Sequence, residues 1–203
     1  MASLAVAALT LAGCDSGSGT KSAATDGPSV IAPGRPGEAA ETLSAKEADE
    51  RRPDDTPNAA DLAYARMMIT HHTQALRMTE LAPDRAKSGP VRRIAERIAA
   101  AQGPEIATMK SWLKAHGGAG ASTGHDHADM AGMATKAQLE ELRAADGTAF
   151  DRLFLRLMIT HHDGAITMAT DVKAQGNNIQ IEEMADDVIA QQTSEISRMR
   201  AMS

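Results

Sequence analysis

Residues 61–112 and 151–202 are two copies of one segment, aligned without a gap at a constant offset of ninety positions. A chain built this way must place the same elements twice, so whatever the first copy folds into, the second repeats. Identical pairs include Asp61/Asp151, Arg66/Arg156, Met68/Met158, Ala75/Ala165, Met78/Met168 and the Ile-Thr-His-His blocks at 69–72 and 159–162. They continue with Ala95/Ala185, Gln102/Gln192, Glu105/Glu195, Ile106/Ile196 and Met109/Met199. Conservative pairs such as Tyr64/Phe154, Val91/Ile181, Ile94/Met184 and Ile98/Val188 lie between them.

The spacing of these residues is helical. Residues three or four apart share a helix face. Met67 and His71, and likewise Met68 and His72, are therefore one turn apart, about 6 Å along the axis. His161, His162, Met158 and Met168 take the same faces in the second copy, with Leu157 in place of the outer methionine. The first long helix is expected over 58–82, with Asn58 as N-cap, Asp61 at N3 and Pro83 as its stop. The second starts near Pro90 and runs to Gly117-Gly118, with a kink expected at Gly103-Pro104. The third runs over 148–175, with Thr148 and Asp151 as a capping box, and the fourth over 178–202. A short helix at 135–145 opens with Thr135 and Gln138 in capping-box spacing. Four long helices with short hairpin loops make an all-α, antiparallel four-helix bundle built from two repeated hairpins.

The remaining chain is tail and connector. Residues 1–14 form a short apolar run ending in Leu11-Ala12-Gly13-Cys14, similar to a bacterial lipobox in which the cysteine is lipidated. An upstream start would supply the basic n-region that this stretch lacks. Cys14 is the only cysteine, so this reading puts the protein outside the cytoplasmic membrane with no disulfide and no thiolate ligand. Residues 15–57, rich in Gly, Ser, Pro, Ala and charge, read as a flexible tether with a weak helical patch at 38–52. The bundle then occupies 58–203, interrupted by a connector at 117–134. A net charge of −6 with no basic run leaves no nucleic-acid footprint.

Four histidines in two adjacent pairs are the candidate chemistry. Imidazole suits copper, zinc, iron and nickel, and added thioethers shift the preference toward Cu(I). The candidate ligands are His71, His72, His161 and His162, with Met67, Met68, Met78, Met158 and Met168 around them. A single histidine on an apolar stripe is more often core, but a pair repeated in register with methionines points to metal. Glu105 and Glu195 lie on inward stripes, where an uncompensated charge is costly. They are either ligands or partners holding a histidine tautomer, or they pair with an arginine such as Arg66 or Arg156. Asp61 and Asp151 read as helix caps. Met109, Met184 and Met199 read as core. His125, His127, Met130 and Met133 sit in a Gly-rich connector and read as a metal-catching tract that is neither amphipathic nor packed. No nucleophile constellation, phosphate loop or helical Glu-x-x-His is present, the last arguing against a di-iron carboxylate centre.

The pattern Asn58-x-x-Asp61-x-x-Tyr64-x-x-Met67-Met68-Ile69-x-His71-His72-x-Gln74-Ala75-x-x-Met78 resembles the bacterial family called domain of unknown function 305. So do its counterpart from Phe150 to Met168 and the later Gln192-x-x-Glu195-Ile196-x-x-Met199. The resemblance covers about 58–202. It implies a ferritin-like bundle, frequent export, and for some members periplasmic copper binding and resistance. Thr70 and Thr160 stand where that family commonly has proline. Together these readings describe a non-enzymatic, membrane-tethered protein that buffers or relays copper, other transition metals remaining open. A ferritin-like metal oxidase using His with Glu105 and Glu195 is one alternative. A structural envelope bundle binding a protein partner is another. Oligomeric state is left open.

Overall fold

The computed structural model describes residues 28–117 and 130–202. Cys14 and its lipobox, together with His125 and His127, lie outside the described residues. The chain divides into two compact units, Met1–Pro53 and Asp54–Ser203.

In the first unit, β1 (Ser29–Ala32) and β2 (Glu41–Ser44) pair antiparallel, and α1 (Ala45–Glu50) follows directly. Ser44 caps α1 in a reciprocal box with Glu47. The strands were not anticipated. They are only four residues each, too short for a period-2 pattern to stand out from a Gly- and Pro-rich stretch.

The second unit is the bundle. Its long helices are α2 (Ala59–Thr79), α4 (Gly89–Ala115), α6 (Gly147–Gln175) and α7 (Ile179–Arg200), with short α3 (Ala82–Arg85) and α5 (Lys136–Ala144) between them. Asn58 and Asp61 form the expected capping box, and so do Thr135 and Gln138. Two local expectations are corrected. Pro83 does not stop the first helix: α2 ends at Thr79, and the proline, tolerated in a first turn, sits at the start of α3. The third long helix begins at Gly147 with Asp146 at the N-cap, so Thr148 and Asp151 form no box.

Asp151 has another task, and Asp61 shares it. The Asp151 carboxylate accepts the Ser88 N–H at 2.9 Å, and Ser88 is the N-cap of α4. Asp61 accepts the N–H of Asn178, the N-cap of α7, at 3.2 Å and that of Asn177 at 3.1 Å. Each aspartate at the start of one hairpin therefore ties down the turn of the other hairpin.

Two core clusters reveal the helix directions. One joins Ala75 and Met78 of α2 with Phe150, Phe154 and Met158 of α6. The other joins Tyr64, Ala65 and Met68 with Ala165, Met168 and Val172. The end of α2 thus packs on the start of α6 and the reverse, so the two helices run in opposite directions about a pseudo-twofold axis. The repeated histidines lie midway between the clusters, where that axis passes.

Candidate metal centre

All four histidines of the repeat are fully buried. His71 and His161 meet at the axis with ring centroids 3.6 Å apart and ring planes at 35°. His72 and His162 flank them, each about one ring further out, with centroids 6.5 Å from His71 and 6.4 Å from His161 respectively.

The hydrogen bonds follow one rule. His72 Nε2–H donates to Glu105 at 2.8 Å, and His162 Nε2–H donates to Glu195 at 2.8 Å. His71 Nε2–H donates to the backbone carbonyl of Ala131 at 3.1 Å. In all four rings Nδ1 is buried and makes no hydrogen bond. A neutral imidazole that gives away its Nε2 proton keeps a lone pair on Nδ1. That is the arrangement by which an outer carboxylate or carbonyl fixes the tautomer of a ligating histidine. Burial with no partner is otherwise costly for such an atom.

The two glutamates are held differently. Glu195 is fully buried and is further approached by Arg97 Nε at 3.6 Å and by Gln191 Nε2 at 3.4 Å. Glu105 keeps a quarter of its side-chain surface exposed. Both glutamates therefore hold a histidine, and the arginine that reaches Glu195 is Arg97. Gln102 and Gln192, repeat equivalents on α4 and α7, are buried with unpartnered amides and add to the polar interior.

The connector reaches the same place. Gln74 Nε2 donates to the Ala134 carbonyl at 2.9 Å, and the Ala134 N–H donates to Gln74 Oε1 at 2.7 Å. On the opposite side, a Cβ at Gly164 would overlap the Ala131 carbonyl and stand 2.7 Å from Gly132 Cα. Gly132 has φ +76°, and a Cβ there would meet the Thr160 carbonyl oxygen at 2.5 Å. Residues 130–134 thus lie as a strap across α2 and α6 over the histidine pair. This corrects the expectation of an unpacked connector: its last five residues dock, with Met130 and Met133 half-buried and Ala134 buried. The docking residues Gln74 and Gly164 were missed. They occupy equivalent repeat positions with unlike side chains, and that divergence was the available signal. Gly164→Ala is expected to dislodge the strap and cost about 1–3 kcal/mol of stability by overpacking. Chemical unfolding would measure it, and a variant as stable as the parent would show that the strap is not held there.

Met68, Met78 and Met158 are fully buried, Met168 nearly so, and Met67 is half-buried. They divide between the two core clusters, Met78 and Met158 in one, Met67, Met68 and Met168 in or against the other. Among the described residues no three His, Cys, Asp or Glu side chains already stand in ligating positions. What the site offers is four buried Nδ1 atoms with no hydrogen-bond partner.

Burial holds both axial histidines neutral. It pushes His71 down to about 3, helped by the neighbouring His72 and His162 and opposed by the Ala131 carbonyl. His161 is held well below the usual range by burial and then by the other three imidazoles. The His71 backbone carbonyl opposes this without making a hydrogen bond of good geometry. Below about pH 6.5 an unfolded chain protonates both residues while the folded one does not. Stability of the metal-free protein is therefore expected to fall as pH drops from about 6.5 toward 3, by up to about 1.4 kcal/mol per pH unit for each ring. Thermal unfolding between pH 8 and pH 5, above most carboxylate titration, would read it. A flat profile there would contradict neutral burial.

An all-α bundle of two hairpins, joined across a pseudo-twofold axis by repeated His-His pairs, defines a class of duplicated helical proteins. The chain belongs to one such family, the domain of unknown function family DUF305, whose model matches residues 61–203. No curated protein matches it. Solved structures do. A DUF305 fragment from Deinococcus radiodurans is similar with 28% identity, a TM-score of 0.66 and coverage of 74% of this chain and 97% of that one. A DUF305 protein from Streptomyces coelicolor, described as secreted, has 31% identity, a TM-score of 0.64 and coverage of 70% and 91%. CopM in its Cu(I)-bound form has 30% identity, a TM-score of 0.59 and coverage of 70% and 94%. CopM has also been solved in Cu(II)-bound, silver-bound and apo forms.

Proposed function

We propose that this protein binds copper, as Cu(I) foremost, outside the cytoplasmic membrane and buffers or relays it without catalysing a reaction. The observation that carries the reading is the state of the histidines: Nε2–H of His71, His72 and His162 is committed to an oxygen, and Nδ1 of all four is unpartnered. The primary ligands are then His71, His72, His161 and His162. Met67, Met68, Met78, Met158 and Met168 supply the soft surroundings that favour Cu(I) over Zn(II). Glu105 and Glu195 orient imidazoles. His125, His127, Met130 and Met133 capture ions on the connector that the strap fastens to the bundle. The copper- and silver-bound forms of CopM support this choice of metal. The Streptomyces protein described as secreted supports the compartment.

Lipidation at Cys14 would tether the bundle through the tail. No helix among the described residues is long and apolar enough to cross a membrane. Metal analysis of the purified chain after exposure to copper, zinc, iron and manganese tests the reading: copper should be retained and zinc lost first on washing. Retention of no metal would leave a structural bundle, and redox turnover with iron or manganese would indicate an oxidase. Cys14→Ser should release the protein from the membrane fraction, and a variant still bound there would remove the lipid anchor.

A further inference from the structure

The two halves of the bundle also differ beside Glu105, where the repeat would make them alike. Beside Glu105 is a cavity of about 180 Å³, walled by Tyr64 of α2, Glu105 and Met109 of α4, and Met184 and Asp187 of α7. The offset of ninety maps these walls onto Phe154, Glu195, Met199, Ile94 and Arg97. A hydroxyl has become a phenyl, a thioether an aliphatic chain, and a carboxylate a guanidinium. The outcome is visible in the glutamates: Arg97 approaches Glu195, which is fully buried, whereas Glu105 remains partly open to solvent. One glutamate has a cation beside it, and the other lines a cavity together with a second carboxylate and two thioethers.

A second observation points to a ligand there. Tyr64 is 2% exposed, lines the cavity, and its hydroxyl has no hydrogen-bond partner. Burial, with the Glu105 charge beside it, pushes its phenol up. An oxygen left unpaired at that depth is expected to face a water or an ion. Glu105 also lines the cavity, and its carboxylate already holds His72.

We propose that the cavity of Tyr64, Glu105, Met109, Met184 and Asp187 is the entry and first holding site for a soft monovalent cation, Cu(I) or Ag(I), on its way to the buried imidazoles. The inference rests on the copper-binding reading and adds a direction to it. Ions enter beside Glu105, and the equivalent place beside Glu195 is closed. Carboxylates attract the cation, thioethers select a soft one, and no covalent or redox step is needed.

The test is the rate of Ag(I) uptake by the purified full chain, followed by loss of free ion. Asp187→Arg and Met184→Ile give the place beside Glu105 its repeat-equivalent residues, and each should slow uptake tenfold or more. Asp171→Arg, an exposed charge reversal on α6 outside the cavity, should change the rate less than twofold. Uptake by Asp187→Arg and Met184→Ile at the parent's rate would overturn the entry site while leaving the copper reading intact. An equal slowing by Asp171→Arg would also overturn it, since general attraction would then suffice. A parent chain that takes up no Ag(I) would remove both. Circular dichroism and thermal unfolding confirm that the variants fold. Met184→Ile, which keeps an apolar side chain, decides the question if Asp187→Arg does not.

Discussion

His71→Ala combined with His161→Ala is expected to lower Cu(I) affinity by about a hundredfold or more, some 2.8 kcal/mol at tenfold for each lost ligand. These rings share the axis at 3.6 Å, so each exchange removes a donor from the same place. Competition against a chromogenic Cu(I) chelator would measure the loss. A histidine that served only packing would behave differently: truncation would lower stability by leaving a cavity, with copper held as tightly as before. Thermal unfolding of the metal-free variant separates the two. Earlier unfolding with unchanged copper affinity would make the pair structural. His161→Ala alone is informative because neither of its ring nitrogens has a hydrogen bond to lose.

The largest loss of stability is expected from Asp61→Ala, about 3–5 kcal/mol. The residue is fully buried, and its carboxylate accepts the N–H of Asn58 at 2.8 Å as well as those of Asn177 and Asn178. Removing it strands a half-buried donor at the start of α2 and, at the turn between α6 and α7, the buried Asn178 N–H and its neighbour. The repeat equivalent, Asp151, accepts only the Ser88 N–H among the bonds described here. Asp151→Ala should accordingly cost less, about 1–2 kcal/mol. Urea unfolding of both variants would give the ranking, and equal losses would show that the cross-hairpin ties do not carry the difference.

The two aspartates also show how far a sequence can be read. Asp61 three residues after Asn58 was legible as a cap, because capping depends on neighbours in the chain. Its second set of bonds, to residues more than a hundred positions away, was not, because nothing local encodes them. The bundle itself was legible because the period of the apolar residues and the repeat agree. That Glu105 and Glu195 each hold a histidine was legible as one of three options, since each lies on an inward stripe, but which histidine each takes was not. Arg97 was not, because it departs from the repeat: its counterpart is Asp187, a residue of opposite charge. The strap was illegible for another reason. Met130 to Ala134 has no periodicity, and its docking depends on Gly164, where the absence of a side chain is the signal.

The strap has a consequence for how such a protein can come into being. His71 and His161 are related by the pseudo-twofold axis, yet only His71 receives the Ala131 carbonyl. Two separate, identical hairpins could assemble the same stacked rings, but each would bring the same linker to a seat that admits one. Their assembly would have to leave both linkers off or favour one at random. Joining the hairpins in a single polypeptide removes that conflict. It also allows position 74 to keep an amide that grips the linker while position 164 gives up its side chain to make room. Fusion here is therefore more than a convenience of assembly: it lets one copy of a duplicated centre carry a covering that its twin does not.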